Sequence, residues 1–173
     1  MVYVTADTHF GHDSIIEYCN RPFKSANDMD NKLIKSFNMR IAPGDEVFFL
    51  GDFTLAHAQH GGYFRSILNR LHGNKHLIMG NHDHCKPAFY NEVGFQSIHY
   101  PYFEHDGVLM CHDPALSEAA QNRMVFCGHV HTLFMAQRNV LNVGVDQHAY
   151  NPLRWDEAKK LWEQKCHCRA TKK

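Results

Sequence analysis

Short apolar runs that stop abruptly at polar residues recur along the chain. They cover residues 1–6, 47–50, 76–79, 108–110 and 124–127. Each run is closed by a turn or polar residue, which is typical of a strand buried on both faces of a sheet. The pattern therefore predicts five buried strands that carry polar groups at their carboxyl ends.

Helical patterns lie between and after these strands. Between Ser25 and Pro43, apolar residues recur at i, i+4 and i+8 behind a capping serine, and residues 64–71 repeat the pattern up to Gly73. Residues 152–164 show helical spacing of apolar side chains near the carboxyl end. Strands that alternate with helices predict crossover connections and an α/β fold.

The second half of the chain also carries a hairpin signal. Residues 98–103 and 108–111 flank the pair Asp106 and Gly107, which favours a tight turn between antiparallel strands. The sheets are therefore predicted to be mixed. Without a repeat or a linker, residues 1–173 are predicted to form one domain, with 165–173 as a flexible basic tail.

Composition places the chain among ordinary globular proteins and narrows its partners. Of 173 residues, 44% are apolar, and 18 Lys and Arg balance 18 Asp and Glu. This balance argues against a nucleic-acid coat or a membrane-surface protein, which need a strongly basic face. With no long apolar span and no signal-peptide pattern, we expect a cytoplasmic protein with reduced cysteines.

The 15 histidines are the unusual feature, and several of them follow the strands directly. Ligands collect beyond the carboxyl ends of strands in α/β sheets, so these residues are expected to converge. The candidate metal ligands are Asp7, His9, Asp52, Asn81, His112, His129 and His131. This mixture of carboxylate, amide and imidazole suits Mn²⁺, Fe²⁺ or Zn²⁺. Seven ligands are too many for one ion that also holds water, so they fit two ions sharing a carboxylate.

In order, these residues form the blocks DxH, GD, GNH[DE], H and GHxH between residues 7 and 131. The chain resembles the calcineurin-like metallophosphoesterases, in particular small members of bacterial or phage type without a cap domain. The resemblance implies a four-layer sandwich of two mixed sheets flanked by helices. It also implies two divalent metal ions, Mn, Fe, Zn or Ni, with Mn favoured.

The resemblance assigns a role to each block. It implies that Asp7, His9, Asp52 and His131 hold one ion and that Asp52, Asn81, His112 and His129 hold the other. Asp52 then bridges the ions beside a water or hydroxide. His82 is implied to be a catalytic group facing the substrate phosphate, with Asp83 holding its imidazole. The implied reaction is hydrolysis of a phosphodiester or phosphomonoester.

Other residues have two interpretations. His12 and Arg21 are candidates for binding the substrate phosphate. For His12, a polar residue at a helix start is an equal alternative, and for Arg21, a solvated loop arginine is the commoner case. Asp146 is a candidate to orient a metal-bound histidine, or simply ends a strand. The aromatic residues Tyr100, Tyr102 and Phe103 could stack on bases, but strand alternation favours core packing. Cys166, His167 and Cys168 lack the spacing of a zinc site and are assigned to the tail.

Three functions remain open at this point. The favoured one is hydrolysis of a small phosphoester, nucleotide-like compounds included, with no membrane partner. A nuclease acting on DNA or RNA ends is the second, supported only by the basic tail at 165–173. The third is a non-catalytic scaffold that binds metal and protein partners. The sequence does not indicate an oligomeric state.

Overall fold

The computed structural model describes residues 1–55, 60–120 and 123–166. Its first half contains β1 (Val2–Thr5), α1 (Ser14–Tyr18), α2 (Ala26–Arg40), β2 (Glu46–Leu50), α3 (Gly61–Arg70), β3 (Asn74–Ile78), α4 (Pro87–Val93) and β4 (Ser97–His99). Its second half contains β5 (Tyr102–His105), β6 (Val108–Cys111), β7 (Val125–Cys127), β8 (Ala136–Gln137), β9 (Val140–Asn142), β10 (Leu153–Arg154) and α5 (Trp155–Cys166). Short 3-10 helices cover Pro114–Ala120 and Val145–Gln147.

The strands form two mixed sheets of five strands each. The first has the order β10-β1-β2-β3-β4, in which β1 to β4 are parallel and β10 is antiparallel to β1. The second has the order β5-β6-β7-β9-β8, with β6, β7 and β9 parallel and the two edge strands antiparallel. Among the described residues, seven parallel strands thus supply carboxyl ends to the fold.

The two faces of the first sheet bury different sets of apolar residues, as strand alternation requires. One face, with Val47 and Phe49, packs on α2, α3 and α4. The opposite face, with Phe48 and Leu50, packs on Met110 and Phe126 of the second sheet and on α5. The 3-10 helix Pro114–Ala120 covers the outer face of the second sheet. The predicted sandwich of two mixed sheets flanked by helices is therefore confirmed.

The structure corrects the prediction at two places. The run 98–103 is not one strand: it divides at Pro101 between β4 of the first sheet and β5 of the second, because proline cannot donate to a sheet ladder. The hairpin of β5 and β6 is present as predicted. Helix α5 continues to Cys166, and residues 167–173 of the predicted tail lie outside the described residues.

Several elements had no clear signal in the sequence. Strands β8 and β10 have two residues each, too few to show alternation. Helix α4 is also short, with seven residues. In the part of the chain that the structure describes, every helix is too short or too polar to cross a membrane.

Candidate metal centre

Polar residues follow the parallel strands of both sheets at a single edge of the sandwich. The first sheet contributes residues 7–9 after β1, Asp52 after β2 and residues 81–83 after β3. The second contributes His112 after β6 and residues 129–131 after β7. A parallel bridge between Ala6 and Gly144 joins the two sheets at this edge. The seven predicted ligands are brought together there.

One group of donors consists of Asp7, His9 and His131. Their ligand atoms all lie within 4.8 Å of one another. Asp7 is fully buried, and both of its carboxylate oxygens accept from the main-chain amide of His129 at 3.0 Å. The Nε2 atom of His9 is buried and has no hydrogen-bond partner among the residues that the structure describes. A buried polar atom of this kind is costly unless something binds it.

The second group surrounds the side-chain oxygen of Asn81. Both His112 Nε2 and His129 Nδ1 lie 2.9 Å from this Oδ1 atom. The other ring nitrogen of His112, Nδ1, donates to the carbonyl of Leu50 at 2.8 Å. This bond fixes the tautomer, so the lone pair of His112 Nε2 faces the Asn81 oxygen. A cation placed here would bind the lone pairs of both His112 Nε2 and Asn81 Oδ1.

Asp52 lies between the two groups. Its Oδ2 is 3.5 Å from His9 Nε2, and its Oδ1 is 3.4 Å from His112 Nε2. The side chain is almost fully buried. One carboxylate oxygen therefore faces each group of donors, which is the position of a bridging ligand.

Burial shifts the pKa values of the titratable groups in this cluster. It raises the pKa of Asp7 to about 7 against the pull of His131, and it lowers the pKa of His9 to about 2. Burial also lowers the pKa of His112, although the charge of Asp52 opposes the shift. Histidines kept neutral are the form that binds metal. The donor set and the unpartnered His9 nitrogen thus fit a divalent metal centre.

Five of the candidate ligands have left-handed backbone conformations. Their φ values are 57° for Asp7, 50° for His9, 54° for Asp52, 70° for His129 and 43° for His131. This region is sparsely populated by residues other than glycine and persists only where the surrounding structure fixes it. It turns each chain segment sharply at the strand end, so that the side chain points into the cluster.

Two glycines keep the ligand loops close together. A Cβ atom at Gly80 would collide with the Oδ1 atom of Asp52, and one at Gly51 would collide with the ring of His112. Gly51 also has a φ of 84°, which glycine adopts without strain. Glycine at these two positions therefore allows the turns after β2 and β3 to approach each other closely.

His82 and Asp83 play different parts. The His82 amide donates to Asp52 Oδ1 at 3.0 Å, while its imidazole is 41% exposed at the mouth of the site. The carboxylate of Asp83 accepts from the main-chain amides of Asp52, Phe53 and Gly80 at 2.8–3.2 Å. The prediction that Asp83 holds the His82 imidazole is therefore wrong, because its oxygens brace the β2 and β3 turns. Burial raises the Asp83 pKa to about 7.

Arg21 is also placed differently from the prediction. Its side chain is fully buried and forms a two-point ion pair with Asp146, at 2.8 Å through Nε and 2.9 Å through Nη2. The same guanidinium donates to the carbonyls of Asp7 and Thr8. A buried and fully occupied guanidinium cannot bind the substrate phosphate, so Arg21 braces the first ligand loop instead.

Asp146 links the ion pair with Arg21 to the metal centre. Its Oδ2 atom lies 2.9 Å from His131 Nδ1, which leaves Nε2 of His131 to face the other donors. Burial opposes the charge of Asp146, but its hydrogen bonds to His131 and Arg21 lower its pKa. The orienting role predicted for Asp146 matches this geometry.

A third group of possible metal donors lies beside the ion pair of Arg21 and Asp146. It consists of Cys19, His131 and Asp146. Arg21 already occupies both oxygens of Asp146 there. A cation would meet the positive guanidinium at close range, so this group does not favour a further metal. Burial raises the pKa of the Cys19 thiol to about 11, which keeps it protonated.

The remaining candidates lie around the mouth. His12 is half-buried, with its Nδ1 atom 3.3 Å from His9 Nδ1. Strand alternation favoured core positions for Tyr100 and Tyr102, but both side chains are exposed. The reason is that Pro101 breaks the strand between them. Phe103 is half-buried and stacks on His99 with ring centroids 3.9 Å apart. His12, Tyr100 and Tyr102 thus lie on accessible surface.

Comparison with known proteins supports the fold but assigns no function. No protein-family model matches the sequence. A segment of 104 residues is 40% identical to the uncharacterized protein MJ1445 of Methanocaldococcus jannaschii, and it spans 58% of each chain. The match thus covers less than two thirds of that relative's length.

Solved structures resemble the chain more extensively. The protein of unknown function AQ665 from Aquifex aeolicus is 26% identical with a TM-score of 0.72, over 93% of this chain and 98% of its own. A nuclease, MPE, from Pseudomonas putida is 21% identical with a TM-score of 0.50, over 75% of this chain and 61% of its own. The chain therefore shares its fold with these two structures, and it carries a buried cluster of Asp and His residues.

Proposed function

We propose that the chain is a two-metal phosphoester hydrolase. The observation that carries the proposal is the convergence of buried donors on either side of Asp52, with the Nε2 atom of His9 unpartnered among them. The first ion would be held by Asp7, His9, Asp52 and His131, and the second by Asp52, Asn81, His112 and His129. Mn²⁺ is the favoured ion, with Fe, Zn and Ni as alternatives of similar preference for imidazole and oxygen.

When bound, two such ions activate water and neutralise the charge that develops on phosphoryl oxygens. The chain itself supplies His82. Its main-chain amide is tied to Asp52, while its ring is partly exposed and is assigned no ligand role. A protonated His82 can donate to a phosphoryl oxygen or give its proton to the leaving alkoxide. Asp83 and Arg21 keep the turns around these groups fixed.

The same site bears on the two alternative functions, a scaffold and a nuclease. A scaffold that binds metal and protein partners would use the same buried donors, but it has no need for the partly exposed imidazole of His82 at the mouth of the site. Nucleic acid remains a candidate substrate because the Pseudomonas neighbour is named a nuclease. The favoured substrate is a small phosphodiester or phosphomonoester, nucleotide-like compounds included.

The test compares Asp52 with an exposed carboxylate. Protein stripped with EDTA and reloaded with Mn²⁺ is assayed on bis-p-nitrophenyl phosphate and p-nitrophenyl phosphate. We expect metal-dependent turnover that falls at least about 100-fold in Asp52→Asn and is retained in Asp156→Asn, whose carboxylate is 63% exposed. Equal turnover by the Asp52→Asn variant, or none by the reloaded protein on either ester, would overturn the proposal.

A further inference from the structure

Exposed large apolar side chains are concentrated at the edge of the sandwich that carries the metal centre. Among the described residues these side chains are Met1, Tyr18, Met39, Tyr100, Tyr102 and Leu133. Single exposed apolar residues are ordinary, but a group around one site marks a binding surface. Four of the six adjoin segments that bear the candidate ligands.

The positions of these four follow from the fold. Tyr102 pairs in register with Cys111, which directly precedes His112. Tyr100 follows β4, whose last carbonyl accepts from the amide of Met79 just before the β3 ligand turn. Leu133 comes two residues after the candidate ligand His131. Met1 and Met39, by contrast, lie at the opposite edge, where α2 ends and β1 begins.

Tyr18 adjoins the site through a row of rings. Its ring is 6.4 Å from that of His12 at an angle of 78°, and the His12 ring is 5.4 Å from that of His9. The His9 ring is in turn 5.7 Å from that of His82. The residue itself is 77% exposed although it ends a helix anchored by buried Ile15. An anchored helix thus presents an open aromatic face beside the metal centre.

We propose that Tyr18 stacks on an unpaired nucleobase of a phosphodiester whose phosphate lies at the metal centre. The proposal rests on the proposed function and adds a substrate class to it. An open aromatic face accepts any base, because every base has a planar π surface. His12 lies between the Tyr18 ring and the candidate ligand His9, so a nucleoside attached to the bound phosphate would extend over it towards Tyr18.

Charge limits this recognition to a short stretch of nucleic acid. The chain has no net charge, and Arg21, three residues after α1, is paired with Asp146. A protein that tracks a long phosphate backbone needs a groove of free cations. Recognition here depends on stacking and on the metal centre, so binding is expected to change little with salt.

The activity test uses two esters with the same leaving group. Thymidine 5′-(p-nitrophenyl phosphate) carries a base, and methyl p-nitrophenyl phosphate does not. We expect the wild-type protein with Mn²⁺ to prefer the thymidine ester in kcat/KM by at least about fivefold, and Tyr18→Ala to abolish the preference. Tyr18→Phe keeps the ring and is expected to keep the preference. Met39→Ala, an equally exposed residue at the far edge, is expected to match the wild type.

A binding measurement gives a readout independent of turnover. The probe is a phosphorothioate dinucleotide containing 2-aminopurine, whose fluorescence is quenched on stacking. We expect quenching by the wild-type and Tyr18→Phe proteins and at least about fivefold weaker binding by Tyr18→Ala. If Tyr18→Ala quenched the probe as strongly as the wild type, or showed the same preference for the thymidine ester as the wild type, the proposal for Tyr18 would be overturned. Failure of the proposed function is distinct, because neither ester would then be hydrolysed.

Discussion

Replacement of Arg21 by methionine tests whether the buried ion pair braces the candidate metal centre. Methionine keeps most of the side-chain length but removes the charge and every donor. The side chains of Arg21 and Asp146 are 0% and 1% exposed, so the remaining Asp146 carboxylate would stay buried without its cation. The carbonyls of Asp7 and Thr8 would lose their donors as well.

The structure sets the size of the effect. Breaking one partner of a buried ion pair lowers the free energy of unfolding by about 3–5 kcal/mol. For a chain of this length, that corresponds to a fall in Tm of about 6–20 °C. Chemical and thermal unfolding of the protein in EDTA measures this change without any contribution from bound metal.

A matched control separates burial from charge. Arg65 pairs with Glu92 at 2.6 Å, but these side chains are 46% and 70% exposed. Arg65→Met is therefore expected to change the free energy of unfolding by no more than about 1 kcal/mol. A double-mutant cycle of Arg21→Met with Asp146→Asn should show a coupling of about 1–3 kcal/mol. If Arg21→Met were no more destabilising than Arg65→Met, the bracing role would be refuted.

The remaining predictions concern the charge of Asp7 and the role of His82. The folded-state pKa of Asp7, about 7, is above its ordinary value of 3.8, so in metal-free protein its ionisation lowers stability as pH rises from about 4 to 7. We compare the free energy of unfolding of Asp7→Asn with that of the wild type, in EDTA, at pH 4 and at pH 8. The difference should favour the variant more at pH 8 than at pH 4, by up to about 4 kcal/mol. A difference that does not change with pH would contradict this reasoning. His82→Ala should retain the Mn²⁺ content of the wild type by elemental analysis but lose about 100-fold or more in turnover. Full activity at unchanged metal content would exclude a catalytic role for His82.

The candidate ligands could be predicted from sequence because strand ends are visible in a pattern of apolar runs. Asp52 and His112 each come two residues after such a run, and parallel strands bring their ends to one edge. The pattern could not predict which side chains outside the strands are buried. Arg21 and Asp146 are 125 residues apart in sequence, so neither revealed the other as its partner.

The errors in the sequence interpretation share a physical cause. The resemblance implied that Asp83 holds the His82 imidazole, yet three main-chain amides of neighbouring turns donate to its carboxylate instead. Tyr100 and Tyr102 alternate as core residues do, but Pro101 ends the run, so that Tyr100 follows β4 of the first sheet and Tyr102 begins β5 of the second. In both cases contacts made by the assembled fold override a pattern that is local in sequence.

The left-handed ligand positions have a consequence for which side chains can replace them. Glycine, asparagine and aspartate enter this backbone region more readily than other residues, and a β-branched side chain is strained there. Asparagine at residue 7 or 52 would therefore remove the charge without adding backbone strain, whereas valine at residue 9, 129 or 131 would disturb the turn as well as remove the donor. Asparagine and glycine variants are thus the replacements that separate the loss of a ligand from the loss of its loop.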